Sequence, residues 1–285
     1  MLERAVHTMV RSYDYWLTSR YRAALAANVE AGRLPDQAAP SLAQDAGPKR
    51  EADKLFGELR KLRDRWTDYF DQLAKRLAGA AVDELYKSNK AAWQGKLKGA
   101  GFDVRLQLTP AQRTLLDAKV HENVALIRSV AEQFHTDVEG IVTRSFVAGR
   151  DLHTMAAELK ARGGVTTRRA ALIARDQSNK LTAQMNAARQ AELGINWAIW
   201  KHSSAGKEPR HTHVRAGREE WIFDTQKGID FGDAFGQVLP GVAINCRCVS
   251  RSIIPALGRA SVGGKQFNVD DLEPVPGFPG AYRLK

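Results

Sequence analysis

The apolar spacing changes character once along this chain, at Gly194, and that change limits the fold to a helical body followed by a β-rich module. Upstream, apolar residues recur three and four apart. Val6, Met9, Val10, Tyr13, Trp16 and Leu17 form one stripe; Leu55, Leu59, Leu62, Trp66, Tyr69, Leu73 and Leu77 form another. At 3.6 residues per turn such spacing lines one helix face. Downstream, Ile195–Trp200, Trp221–Phe223 and Cys246–Ile254 are short runs with β-branched and aromatic residues. The expected class is α+β: a mostly helical N-terminal two-thirds, a small β-rich module, and an extended C-terminal tail.

Punctuation residues divide the chain further. Residues 1–105 read as a helical N-terminal region, interrupted at about 32–50 by a linker that holds three prolines. The 55–77 stripe suits either an intermolecular coiled coil or an antiparallel bundle within the chain. Residues 106–194 form a second helical part. Thr109-Pro110-Ala111-Gln112 combines an N-cap threonine, proline at the first helical position and glutamine two residues later. Ser129 and Glu132 repeat the pattern, which predicts two helices, near 110–128 and 130–148, with Gly149 ending the second. A short helix over 152–162 should stop at Gly163-Gly164, and a longer one capped by Thr166 or Thr167 should run to Gly194. The β-rich module covers 195–255. Residues 256–285, rich in Pro and Gly, are expected as an extended or flexible tail.

Chemistry concentrates in the module. Cys246 and Cys248 are the only cysteines among 285 residues, and His211 and His213 share their i, i+2 spacing. In extended chain each pair falls on one strand face, so two His and two Cys could converge as a tetrahedral site, with zinc as the ion. His202 and Asp224 are substitute ligands. The competing reading makes the cysteines small buried residues of a sheet. A disulfide is disfavoured, because extended-chain Cα atoms two apart lie roughly 6.6 Å from each other.

The net charge of +11 points to acidic partners, double-stranded DNA first, contacted without sequence specificity because no long basic block occurs. Arg210, Arg215, Arg218, Arg247 and Arg251 would cluster as a phosphate-binding patch if the 210–218 segment packs on the last strand. No apolar run is long enough for a membrane span, and the N-terminus does not read as a signal peptide, so synthesis in a reducing cytoplasm is expected. His213 with Glu208, Glu219 or Asp230 could form an acid/base pair, but no nucleophile or nucleotide-binding motif accompanies it. No catalytic residue is therefore assigned, and the expectation is a non-enzyme.

An ordered set of short motifs carries a family resemblance. It comprises Asn123-Val-Ala-Leu-Ile-Arg128, Ile173-Ala-Arg-Asp-Gln177, Asn186, Gly194-Ile195 and Trp200. Arg210-His-Thr-His213, Gly217, Pro240-Gly241 and Asn245-Cys-Arg-Cys248 follow. In this order they resemble the phage Mu protein F-like family of minor head, or head-morphogenesis, proteins of tailed bacteriophages. The resemblance implies a structural protein built into the procapsid near the portal, with the portal and other head proteins as partners and a role in assembly, packaging or ejection. It places the chain in the virion, in the capsid interior or near the portal, and requires no cofactor. It also implies a metal role for His213, Cys246 and Cys248, while His211 is outside the family's positions. The alternative is a metal-dependent nuclease or toxin-like effector carried in the virion, which would need clustered carboxylates. The candidates Glu219, Glu220, Asp224, Asp230 and Asp233 are scattered.

Overall fold

A computed structural model describes residues 1–21, 47–99, 101–147, 152–204, 208–254 and 261–285. Most of the expected linker, 32–46, lies outside the described residues, as do Gly149 and 256–260 of the tail. Residues 47–50 already belong to a helix. The chain divides into two compact units, one of Met1–Ala78 with His121–Ala174 and one of Gly79–Val120 with Arg175–Lys285.

In the first unit, α1 (Leu2–Tyr15) continues into a π-helical segment, Trp16–Tyr21. Val6, Met9, Tyr13 and Leu17 pack with Leu59, Trp66, Phe70 and Leu73 of α2 (Gly47–Lys98). The stripe on α2 is thus used inside the chain, as a bundle. Its heptad reading is inexact, since Tyr69 is 44% exposed and Phe70 takes the buried position.

Two expected helix breaks are absent. The Thr109 capping box forms, with Gln112 N–H donating to Thr109 Oγ1 at 3.2 Å and Thr109 N–H to Gln112 Oε1 at 3.3 Å. From there α3 runs unbroken over Pro110–Val147, with no boundary at 129. Ser129 instead donates back to Leu126 O at 2.8 Å. Ile127, Val130, Ala131 and Phe134, around that position, all belong to the core, so only a continuous helix keeps them packed. Likewise α4 spans Leu152–Glu192 straight through Gly163-Gly164, and Thr166 and Thr167 donate back to Arg162 O and Gly163 O at 3.0 Å.

Gly163 serves close packing, not termination. A Cβ there would lie 2.5 Å from Val10 Cγ1. Gly163→Ala should therefore lower the unfolding free energy by about 1–3 kcal/mol through overpacking. Gly79→Ala, with nothing within 4 Å of the added atom, should raise it by about 0.5–1 kcal/mol. Parallel denaturation curves on the two variants test the contrast.

The second unit holds helical clusters and the β module. Val82, Leu116, Leu181 and Met185 form one cluster; Trp93, Leu97, Leu106 and Ile195 form another. After Gly194, whose φ of +65° ends the helix, comes β1 (Trp197–Lys201). Next are α5 (His211–Arg218), β2 (Ile222–Asp224), β3 (Ile229–Asp230), β4 (Gln237–Val238) and β5 (Val249–Ser252). The final segment gives β6 (Ser261–Val262), β7 (Lys265–Gln266), β8 (Leu272–Pro274) and β9 (Tyr282–Leu284).

The main sheet has the order β5-β1-β2-β9-β8. Ala198 faces Phe223 on one side and Ser252 on the other, and Ile222 pairs with Tyr282, all antiparallel. The expected flexible tail therefore completes the sheet. Its extended conformation is as expected, but Val275, Phe278 and Ala281 join the module core, which binds the segment in place. Alternation puts Trp200 in that core and half-buried Trp197 on the opposite cluster. Only Val249–Ser252 of the expected 246–254 strand is β; Cys246–Cys248 is loop. No helix among the described residues is long and apolar enough to cross a membrane.

Candidate metal centre

His213, Cys246 and Cys248 converge, and all three are buried. Their ligand atoms lie within 4.8 Å of one another. His213 Nδ1 is 3.5 Å from Cys246 Sγ and 3.8 Å from Cys248 Sγ. A tetrahedral zinc with ordinary Zn–N and Zn–S bonds would hold nitrogen and sulfur about 3.6 Å apart. Spacing and donor chemistry therefore fit that ion without rearrangement. Trp200 and Phe231 wall in the imidazole, at ring separations of 5.0 and 4.4 Å.

The loop bearing the cysteines is braced by α4. Asp176 Oδ1 accepts the Asn245 N–H at 2.9 Å, and Asn179 Nδ2 donates to Cys246 O at 3.1 Å. Asn245 sits at φ +60°, a left-handed conformation that asparagine tolerates better than most residues. Gly241, at φ +93°, donates its N–H to Cys246 Sγ at 3.4 Å. The Ile173–Gln177 and Asn245–Cys248 motifs, about seventy residues apart, are thus two halves of one clamp. Asp176 and Asn179 had no role from the sequence; a mid-helix Asp among Arg and Gln looks like solvated surface until the loop folds onto it.

The thiols share their charge unevenly. A hydrogen bond from Cys248, helped by His213 and the Cys248 and Gly241 amides, holds Cys246 well below the usual thiol range. The same Cys246–Cys248 bond, with burial, pushes Cys248 up. Two buried thiolates repel, and a divalent cation between them removes that conflict. Asp176→Ala should loosen the loop that carries the cysteines, which faster hydrogen exchange at the Asn245 and Cys246 amides would report.

His211 does not join the cluster. The strand assumption fails because residues 211–218 are helical, so i, i+2 side chains diverge by about 200° and His211 is left exposed. His202 lines the adjoining cavity, while Asp224 accepts the Gln226 N–H at 2.8 Å in a turn.

The other carboxylates are occupied in bracing loops. Glu219 accepts from Arg215 and Trp221, each at 2.9 Å, and its pKa is lowered chiefly by the Arg215 hydrogen bond. Glu220 pairs with Lys201, which lowers its pKa most, and accepts the Gly263 N–H at 3.0 Å. Asp230 and Asp233 accept the N–H groups of Gly232 and Phe235 at 2.8 and 3.0 Å. Among the described residues, the His213–Cys246–Cys248 group is the one set suited to a metal, and it contains no carboxylate.

The five arginines divide among different partners. Arg210 and Arg247 line the cavity beside the cluster. Arg215 and Arg218 share Glu219, at 2.9 and 3.8 Å, and Arg251 reaches Glu220 at 3.5 Å. Arg215 also stacks over Trp221 and Phe278, 5.3 and 5.7 Å from the ring centroids.

Comparison with known proteins fits this geometry. An uncharacterized protein of Haemophilus influenzae is 32% identical over 187 residues, 65% of this chain and 39% of that protein. The chain thus spans about two fifths of the length of this curated relative. No solved structure matches the chain. Residues 136–251, which include the clamp helix, His213 and both cysteines, match the family described as Phage Mu protein F like protein.

Proposed function

We propose that the chain is a minor head protein of a tailed phage, built into the procapsid near the portal and assisting assembly, DNA packaging or ejection. The observation that carries this reading is the match over 136–251, within which separate motifs meet at one buried cluster. The role is structural and not enzymatic. The β module offers a braced docking surface, and the net charge of +11 suits non-specific contact with packaged DNA. One zinc ion held by His213, Cys246 and Cys248 would cross-link α5 to the 246–248 loop and stabilise the module.

Two measurements test this reading. Co-expressed with the portal and shell proteins of its phage, the chain should sediment with procapsids and be recovered with portal complexes; a chain that stays free would overturn the assembly role. Elemental analysis should find about one zinc per chain, lost in the Cys246→Ser/Cys248→Ser variant. A metal-free wild type of equal stability would overturn the zinc assignment alone. No observation favours the nuclease alternative, since the carboxylates it needs are engaged elsewhere.

A further inference from the structure

The His213–Cys246–Cys248 group supplies three ligand atoms, one fewer than a closed tetrahedral site needs. The same three side chains line one wall of a half-enclosed cavity of about 310 Å³. His202, Glu208, Arg210 and Arg247 line the rest, with Ile244 and Asn245 among the others. We propose that this cavity is a phosphate site, in which an oxyanion held by Arg210, Arg247 and His202 occupies the fourth position of the metal. The proposal rests on the zinc assignment above and deepens it by naming the ligand class.

Three features carry the inference. His202 is poorly suited to be the fourth ligand. Its Nδ1 accepts the Ser204 N–H at 3.1 Å, which leaves the ring proton on Nε2, a donor to an anion and not a lone pair for a metal. Its backbone is pinned as well, since a Cβ at Gly217 would lie 2.5 Å from His202 Cβ. Second, Arg210 is held in place without an ion pair among the described residues. It donates through Nη2 to Ile244 O at 3.1 Å and lies 5.3 Å over the Phe235 ring. The other guanidinium nitrogens still carry donors suited to phosphate oxygens. Third, a divalent ion neutralises the two thiolates, and the donors of Arg210 and His202 that line the cavity then suit an anion; phosphate has enough oxygens to meet the metal and a guanidinium at once.

Cobalt(II) replacing zinc in the full-length chain tests this, because its visible bands report the ligand set. Thiolate-to-cobalt charge-transfer bands should appear, and inorganic phosphate should shift the ligand-field bands. Arg210→Gln/Arg247→Gln should keep the charge-transfer bands while phosphate affinity falls by about tenfold or more. Ligand-field bands that ignore phosphate, or respond equally to acetate, would overturn the phosphate site and leave the metal reading intact. Absence of the charge-transfer bands would overturn both. A short DNA strand that reproduces the shift identifies the nucleic-acid backbone as the source of the phosphate; a shift with inorganic phosphate alone identifies the free ion.

Discussion

Arg189→Ala should cost the second unit about 2–5 kcal/mol, the usual range for deleting a large, fully buried side chain. Arg189 is fully buried, and its Nη1 donates to Glu192 Oε2 at 2.7 Å and to Gln107 O at 3.0 Å. Its guanidinium lies 5.7 Å over the Tyr86 ring, and Gln112 Nε2 reaches the same Glu192 oxygen at 3.0 Å. One side chain thereby ties α4 to the start of α3 and the loop before it. Alanine would leave a cavity, an unpaired carboxylate and an unsatisfied carbonyl. Arg189→Met with Glu192→Gln keeps most of the volume and removes both charges, so it should recover more than half of the loss. Denaturant unfolding, with hydrogen exchange at unit-two amides, distinguishes the two variants. Equal losses would show that the guanidinium's own hydrogen bonds, and not the volume it fills, are what matter.

The first unit should lose about 3 kcal/mol of stability between pH 6.5 and 4 through one histidine. His135 is buried, its Nδ1 hydrogen-bonded to the Tyr13 hydroxyl at 2.5 Å. Burial first, and the Arg63 charge second, lower its pKa to about 4. Burial, with Glu139 next, raises that of Tyr13, so the phenol stays neutral. In the unfolded chain His135 takes up a proton near pH 6.5, whereas the folded chain resists until about pH 4. The stabilisation is therefore complete above the unfolded value and lost as the pH falls toward the folded one. Unfolding curves from pH 7.5 to 4.5 should show that slope. Tyr13→Phe/His135→Phe, which removes the titrating group and its partner together, should flatten it; an unchanged slope would assign the effect to other groups.

What was legible in the sequence was what depends on neighbours along the chain. The capping box at Thr109 and Gln112 formed as read, because its partners are three residues apart and need no tertiary help. The switch from helix to strand at Gly194 and the alternation of Trp197 and Trp200 followed in the same way. The same local logic failed at Ser129 and at Gly163-Gly164. There, cap and breaker signals were overridden by Phe134 and its neighbours in the core, and by Val10 seated against Gly163.

For the site, the sequence by itself determined the chemical types, imidazole and thiol, in a chain with two cysteines. The family resemblance pointed to His213 with both cysteines, whereas the i, i+2 spacing offered His211 equally, and the tertiary structure decided between the two by position. A helix at 211–218 turns His211 outward and His213 inward, and no i, i+2 rule can tell a helix from a strand. It alone showed that Asp176 holds the Asn245 amide and that the last strand closes the sheet beside Ile222. Those contacts join residues about sixty to seventy positions apart. They form because the folded core repays the entropy of bringing them together, a balance that no local pattern encodes.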